Sequence, residues 1–242
     1  TLSKAEKLIE LDNATHPVRV GEADVQEIGA VMEYSQIVAD MAPLKKRKEA
    51  LAAEMTKIRS HAALSLASQV TEELNALAMP GSSLVVQVSP AQLGPHGADE
   101  IAILLSSYPG ADPRPLGKGA SGGELSRIML AIEVVLAQHR NNPTFIFDEV
   151  DAGVGGAAAI EIGKRLAKLA QRAQVIVVTH LAQVAAFSNT HLRVLKSHDG
   201  EFTASDVVAL TEVARVEELA RMLSGLAESE LGRAHAAELW QL

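Results

Sequence analysis

The chain has 242 residues, 48% of them hydrophobic and 21% charged, which is the composition of a globular protein rather than a disordered one. Its formal net charge of −8 excludes a protein that coats nucleic acid by overall charge, although a local basic patch is compatible with it. Cysteine is absent, which excludes a disulfide framework and a thiolate metal site. No apolar run is long enough to span a membrane and no signal peptide is recognisable, so we expect a cytoplasmic protein with no membrane partner.

Residues 1–78 are predicted to form a helical limb. The first ten residues have a helical pattern, and polar residues with a proline near 12–20 are expected to break it. From Glu22 to about Met79 glycine and proline are rare, so a long helix is expected there. Pro43 is expected either to kink this helix or to begin a new one, because proline removes a backbone donor and clashes with the preceding turn.

The long helix carries a heptad seam. Its positions recur at alternating steps of four and three residues: Ile37, Met41, Leu44, Lys48, Leu51, Met55 and Ile58. This period is typical of a coiled coil, with Lys48 as one polar member. From Ala62 to Leu77 the step is mostly four, which suits packing on a globular surface better than supercoiling. The alternative for the whole segment is one long helix of an ordinary bundle.

Residues 79–242 are predicted to be an α/β head. Strands are expected at 84–88, 100–105, 144–147, 175–179, 191–196 and 202–210. Helices are expected at 125–138, 157–170, 181–187, 212–224 and 227–242. The glycine- and proline-rich segment 89–99 is predicted to be a loop. Since strands and helices alternate after residue 125, we expect a mostly parallel sheet with flanking helices.

A glycine-rich stretch at 117–123 leads into the first helix of the head. Backbone N–H groups at such a helix start form an anion site, which the positive end of the helix dipole strengthens. The residues at this start are Ser121, Gly122, Gly123 and Glu124. The alternative is a flexible turn in which Ser121 only caps the helix.

Two carboxylates, Asp148 and Glu149, end the predicted strand 144–147, where parallel sheets place their ligand sites. In phosphoryl transfer the first acid of such a pair typically helps to hold Mg²⁺, and the second can orient and deprotonate the attacking water. Capping of the next helix is the alternative. The glycine-rich loop that begins at Asp151 is unusual for a plain cap.

His180 follows the predicted strand 175–179 and is expected at the same sheet edge as the acid pair. A lone histidine after a strand is more often structural than catalytic. Its placement near Asp148 and Glu149 reverses that preference, because a neutral imidazole there could hydrogen-bond a terminal phosphate.

The three motifs, in this order, resemble those of ABC-type ATPases. Ser121–Glu124 is similar to the signature motif, although Ala120 stands where leucine is usual. Phe145–Glu149 resembles Walker B with its catalytic glutamate, Asp151 resembles the D-loop acid, and His180 resembles the switch histidine. The stretches GASGGELSRIMLAIEV, FIFDEVDAGVGG, VVTHLAQVAA and RVEELARMLSG are similar to the RecN family, bacterial SMC-like proteins of DNA double-strand break repair.

The P-loop pattern G-x-x-x-x-G-K-[ST] is absent from the chain. In the RecN and SMC families the P-loop lies in an N-terminal segment, before the coiled coil. The resemblance therefore implies the C-terminal half of an ATPase head, inactive alone, with ATP and Mg²⁺ as cofactors. It also implies three partners: the P-loop half of the same protein, a second head in a homodimer, and DNA, in a nucleoid-associated assembly.

The resemblance also implies a role for each motif. Ser121 and the N–H groups of Gly122 and Gly123 would contact the γ-phosphate of a nucleotide held by the other head. Asp148 would serve Mg²⁺, Glu149 the attacking water, and His180 the γ-phosphate. ATP would join two heads, and hydrolysis would part them and move the coils.

Two other functions are compatible with parts of the sequence. One is a non-enzymatic tethering module that acts through its coils. The other is a transporter-type ABC subunit, which is disfavoured because such chains carry P-loop, signature and Walker B together without a coiled coil. The basic run 45–48 is a candidate DNA contact, although a solvated helix face is the commoner explanation for such a run.

Overall fold

A computed structural model describes residues 22–137, 143–199, 202–225 and 230–241. Its helices are α1 (Glu22–Ala76), α2 (Gly122–Leu136), α3 (Gly156–Ala170), α4 (Ala182–Ala185), α5 (Glu212–Ser224) and α6 (Glu230–Trp240). Its strands are β1 (Ser83–Gly94), β2 (Gly97–Ser106), β3 (Arg114–Pro115), β4 (Thr144–Phe147), β5 (Gln174–Val177), β6 (Leu192–Asp199) and β7 (Phe202–Ala209). The helix predicted for the first ten residues, and the break near 12–20, lie outside the described residues.

Helix α1 runs through Pro43 without interruption, so the expectation that a new helix begins there is wrong. Of the apolar members of the predicted seam, Met55 is partly buried and the other five are exposed: Ile37, Met41, Leu44, Leu51 and Ile58. An exposed row of apolar side chains would be stabilised by burial against another helix. The coiled coil therefore stays a prediction. No helix in the described ranges is both long and apolar enough to cross a membrane.

The chain divides into two compact units, and α1 contributes to both. The first holds the described residues up to Ile58 together with Pro90–Asp99. Within it, the Thr56 hydroxyl lies 2.6 Å from the Asp99 carboxylate. The second holds Arg59–Ser89 and Glu100–Leu242. The predicted boundary of the limb at residue 78 stays a prediction.

The segment 89–99, predicted to be a loop, is mostly strand. β1 continues to Gly94 and β2 starts at Gly97, so only two residues connect the paired strands. Gly97 has φ +97°, a conformation open to glycine, which lets the turn be this tight. Pro90 lies within β1, which is at the edge of its described sheet, and edge strands are where proline is tolerated.

The parallel pair β4–β5 confirms the α/β class expected from the alternating pattern. Its register pairs Thr144 with Gln174 and Phe147 with Val177, and α3 connects the two strands. Both strands therefore end at the same edge of the sheet. The described pairs β2–β3 and β6–β7 are antiparallel.

The core of the second unit joins the end of α1 to the elements around β4. Its fully buried members include Val70, Leu74, Leu77, Ile128, Leu130, Ile162 and Leu169. A smaller cluster gathers α4, α5 and α6 around Ala182, Ala185, Leu219, Ala236 and Leu239. Because α2, α3 and β4 share the larger core, the loops that leave them have fixed starting points.

Leu74→Ala should destabilise the second unit by about 2–5 kcal/mol, because Leu74 is fully buried and its truncation leaves a cavity. Leu64→Ala, in the same helix, is the matched control, since Leu64 is 75% exposed and its loss should change stability by less than about 0.5 kcal/mol. Urea unfolding of the two variants measures the difference. Equal midpoints would contradict the packing of α1 described above.

Candidate functional site

Helix α2 begins with a complete capping box. The Ser121 Oγ accepts from the Glu124 N–H at 3.4 Å, and the Ser121 N–H donates to Glu124 Oε2 at 2.8 Å. The Ser121 hydroxyl also lies 2.9 Å from Glu124 Oε2. The pattern S-x-x-E that carries this box is the same as the signature-like motif, so Ser121 is a helix cap, as the simpler interpretation of the sequence expected.

The electrostatics of this helix start depend on Glu124. Hydrogen bonds from Ser121, first from its backbone and then from its side chain, lower the pKa of the Glu124 carboxyl. The first N–H groups of any helix lack a partner within the helix, so those of Gly122 and Gly123 remain suited to an anion. The Glu124 carboxylate already accepts from the Ser121 N–H and lies beside its hydroxyl. The N–H groups of Gly122 and Gly123 are therefore the donors of the first turn that remain for an anion.

The start of α2 lies against the segment that follows β4. A Cβ added to Gly123 would be 2.9 Å from the Ala152 Cβ and 3.0 Å from the Glu149 carbonyl oxygen. Contacts this short do not occur for real side chains, so glycine is required at this position. A Cβ on Gly122 would meet only Glu149 Oε2, at 2.9 Å, and that carboxylate can move aside.

The acid pair emerges from β4 with an unusual backbone. Asp148 and Glu149 are both exposed, whereas Phe147 before them and Val150 after them are buried. Glu149 has φ +56°, a left-handed conformation that few residues other than glycine adopt. Such strain persists only where the surroundings hold it, and it clusters at functional sites. The main chain next to it is held by α2, since the Ser126 hydroxyl donates to the Asp148 carbonyl at 2.8 Å.

Asp151 joins this segment to the end of β5. It is buried, and its Oδ2 accepts from the Thr179 hydroxyl and, at 3.2 Å, from the His180 N–H. The His180 Nδ1 lies 3.4 Å from the same oxygen, while the histidine side chain is 72% exposed. The imidazole is therefore anchored on its Nδ1 side and presents Nε2 to solvent.

The structure brings the predicted site residues together in two groups. Gly122 and Gly123 lie against Glu149, and Asp151 contacts His180. Asp148 directly precedes Glu149 in the chain, and its side chain is exposed. The shared sheet edge expected for the acids and the histidine follows from the β4–β5 register.

Three contact residues were missed by the sequence interpretation: Ser126, Arg127 and Thr179. A signal existed for two of them. Ser126 and Arg127 are polar residues directly before an apolar run, three and four positions after Gly123, and that spacing places all three on one face. Thr179 offered no signal, because threonine is ordinary in a strand.

The carboxylates fit a Mg²⁺ ion only as part of a larger ligand set. Within the described ranges no group of three His, Cys, Asp or Glu side chains could hold a metal. Mg²⁺ usually takes one or two carboxylates and completes its shell with water and substrate phosphates. Asp148 with Glu149 meets that smaller requirement, and the absence of cysteine leaves the oxygen donors that Mg²⁺ prefers.

The fold is similar to part of an SMC head. The head domain of an Smc protein from Pyrococcus furiosus, solved with an extended coiled coil and bound to the C-terminal domain of ScpA, matches with a TM-score of 0.55. The match is 19% identical and covers 93% of this chain and 52% of that chain. At this identity it shows the fold alone. No family model matches the sequence.

Two curated relatives are more specific. The DNA repair protein RecN of Streptomyces coelicolor is 50% identical over 214 residues, which are 83% of this chain and 37% of the relative. RecN of Mycobacterium bovis is 44% identical over 251 residues, covering 91% of this chain and 40% of the relative. The chain is RecN-like over most of its length and corresponds to a C-terminal RecN-like part. It spans about two fifths of the length of the curated relatives it matches.

Gly123→Ala should cost about 1–3 kcal/mol of stability, because the new methyl group overlaps Ala152 and the Glu149 carbonyl. Gly122→Ala is the control, since only the movable end of Glu149 stands in its way and alanine suits a helix better than glycine. We expect Gly122→Ala to change stability by less than about 1 kcal/mol. Urea midpoints of the two variants test this, and a tolerated alanine at 123 would show that α2 does not press on the loop.

The capping box should give the chain a pH-dependent stability. Because the folded-state pKa of Glu124 lies below its ordinary value of 4.5, its contribution is present above that pH and is lost as the pH falls through the folded pKa. Glu124→Gln should therefore destabilise the protein more at pH 7 than near pH 3.5. Urea unfolding of wild type and variant at both pH values measures this. A difference that stays constant with pH would contradict the charged capping box.

Proposed function

We propose that this chain is the C-terminal part of an SMC-like ATPase of DNA double-strand break repair. The observation that carries the proposal is the close fit of the signature-like helix start against the acid segment. Gly122 and Gly123 of α2 lie against Glu149, and Asp151 links that segment to His180 at one edge of a parallel sheet. A RecN-like sequence with the fold of an SMC head gives this arrangement its biological context.

In this proposal each residue has one task. Ser121 and the N–H groups of Gly122 and Gly123 meet the γ-phosphate of a nucleotide presented by the other head. The Glu149 carboxylate orients the attacking water and accepts its proton. His180, anchored through Nδ1 by Asp151, directs Nε2 to the γ-phosphate. Asp148 holds Mg²⁺, and that ion, when bound, neutralises charge on the phosphate oxygens.

The P-loop half of the same protein is the partner that completes the head. Ile146 of β4 is 71% exposed, its register partner Ile176 of β5 is 46% exposed, and Val178 beyond β5 is 59% exposed. These side chains form an apolar face, although parallel sheets are almost always covered on both faces. The sequence contains no P-loop and the relatives are more than twice as long as this chain, which supports a P-loop-bearing segment as the cover.

Assembly of two heads then controls the coils and the DNA. ATP sandwiched between a P-loop half and the signature of a second copy joins the heads, and hydrolysis releases them. The exposed seam of α1 favours pairing of residues 37–58 with another helix, as the limb interpretation requires. The assembled protein engages DNA, with the basic run 45–48 as one candidate contact, and acts at the nucleoid in the cytoplasm.

Glu149→Gln, made in the longer protein with its P-loop half, should reduce ATP turnover by about 100-fold or more, because the general base is removed. The variant should still bind ATP and should accumulate as an ATP-bound dimer, measured by size exclusion with light scattering. Glu161→Gln is the matched control, since Glu161 forms ion pairs with Lys164 and Arg165 on the surface of α3. Turnover by Glu149→Gln at the wild-type rate would remove Glu149 from the role of base.

A further inference from the structure

One face of α2 holds the main chain around Glu149 at three points. Gly123, Ser126 and Arg127 are spaced at i, i+3 and i+4, so they share that face. Gly123 packs so closely that an added Cβ would be 3.0 Å from the Glu149 carbonyl oxygen. The Ser126 hydroxyl donates to the Asp148 carbonyl at 2.8 Å. The third point is a guanidinium.

Arg127 is buried, with 6% of its surface exposed. Its Nη1 donates to the Ala152 carbonyl at 3.0 Å and, more weakly, to the Val150 carbonyl at 3.4 Å. Burial lowers the pKa of this guanidinium, although an arginine stays cationic in a protein. Taking a cation out of water is costly, and the cost is tolerable only where its donors are used. Here Nη1 is used on two backbone carbonyls, while the buried Nε has no hydrogen-bond partner among the described residues. Because the partners are backbone atoms, Arg127 holds the path of the loop whatever side chains the loop carries.

These contacts bracket the strained residue. Asp148 before Glu149 is held by Ser126, and Val150 after it is held by Arg127. A residue at φ +56° relaxes unless its neighbours hold it, and both neighbours are tied to the same helix. The start of that helix is the signature-like motif. Any displacement of α2 must therefore act on the backbone of Glu149.

We propose that Ser126 and Arg127 are positioning residues that couple the signature helix to the catalytic glutamate of the same head. A nucleotide engaged by Ser121, Gly122 and Gly123 shifts or stiffens α2, and α2 transmits that change to Glu149. The state of the site shared with one partner thus controls hydrolysis at the site that Glu149 serves. This inference rests on the proposed ATPase function, and it adds the direction in which the two sites communicate.

The test uses the longer protein with its P-loop half and compares Arg127→Met, Arg127→Lys and Ser126→Ala with wild type. Arg127→Met should lower kcat by about 10-fold to 100-fold with KM for ATP changed less than about 2-fold, because a misplaced base slows chemistry and not binding. Arg127→Lys keeps the charge but replaces the planar guanidinium with a single point charge. Its kcat should therefore lie between those of wild type and Arg127→Met. Ser126→Ala should give a smaller loss of kcat.

Arg165→Met is the matched control for a merely structural arginine. Arg165 is partly buried and pairs with Glu73 and Glu161, away from the acid segment. It should lower Tm without changing kcat.

A second readout, hydrogen exchange, is independent of activity. The Ala152 and Val154 amides donate to the Glu149 and Asp151 carbonyls, so their hydrogen exchange should accelerate at least about 10-fold in Arg127→Met, as loss of local protection allows, and not in Arg165→Met.

The outcomes separate this inference from the proposed function. If wild type hydrolyses ATP and Arg127→Met does so equally well, the coupling is wrong and the ATPase function stands. If wild type fails to hydrolyse ATP, the proposed function is wrong, and exchange at Ala152 and Val154 still decides whether Arg127 positions the loop. Unchanged exchange in Arg127→Met, or equal loss of kcat in Arg165→Met, would overturn the inference.

Discussion

The parallel register of β4 and β5 is the constraint on which the candidate site depends. It pairs Phe147 with Val177, and one further bond from the Val178 N–H to the Phe147 carbonyl, at 3.0 Å, carries the pairing to the ends of both strands. The loop after β4 therefore leaves the sheet beside the loop after β5. Asp151 can reach His180 only because of this, and a slip by one residue would turn their side chains to opposite faces.

Burial then holds the two loops in place. Asp151 and Arg127 are both nearly removed from water. Asp151 accepts from the Thr179 hydroxyl and the His180 N–H, and the Arg127 Nη1 donates to the Val150 and Ala152 carbonyls. A buried charge left unpaired would be expensive, so these contacts resist opening. These contacts fix the backbone beside Glu149 and His180, while the side chains of both residues stay exposed. That combination is what a site for a large charged ligand requires.

A second network holds the chain beyond the histidine. Arg215 of α5 is buried, donates to the Ala185 and Ala186 carbonyls at the end of α4, and lies 5.1 Å from the centre of the Trp240 ring. Its guanidinium thus adds a donor to the Ala185 carbonyl, which also accepts from the Ser188 N–H, and supplies one to the Ala186 carbonyl. The C-terminal helices consequently stabilise the segment that follows His180, and α5 and α6 belong to the same unit as the candidate site.

Much of this architecture could be predicted from the sequence. Strand 144–147 and helix 212–224 were predicted with the bounds the structure gives. A short apolar run marks the strand, and helical periodicity after a capping threonine marks the helix. The prediction of a loop at 89–99 was wrong, because the glycines and prolines there mark a turn of only two residues within a longer hairpin. The tasks of Ser126 and Arg127 depend on contacts with backbone atoms more than twenty residues away, and no local pattern contains those contacts.

The central claim is that this chain is half of an ATPase site. The most direct measurement is ATP turnover by this chain, by a separately produced P-loop half of the same protein, and by an equimolar mixture of the two. The account predicts no turnover by either part and Mg²⁺-dependent turnover by the mixture. Turnover by this chain alone, or a stable complex of the two parts that hydrolyses no ATP, would contradict it.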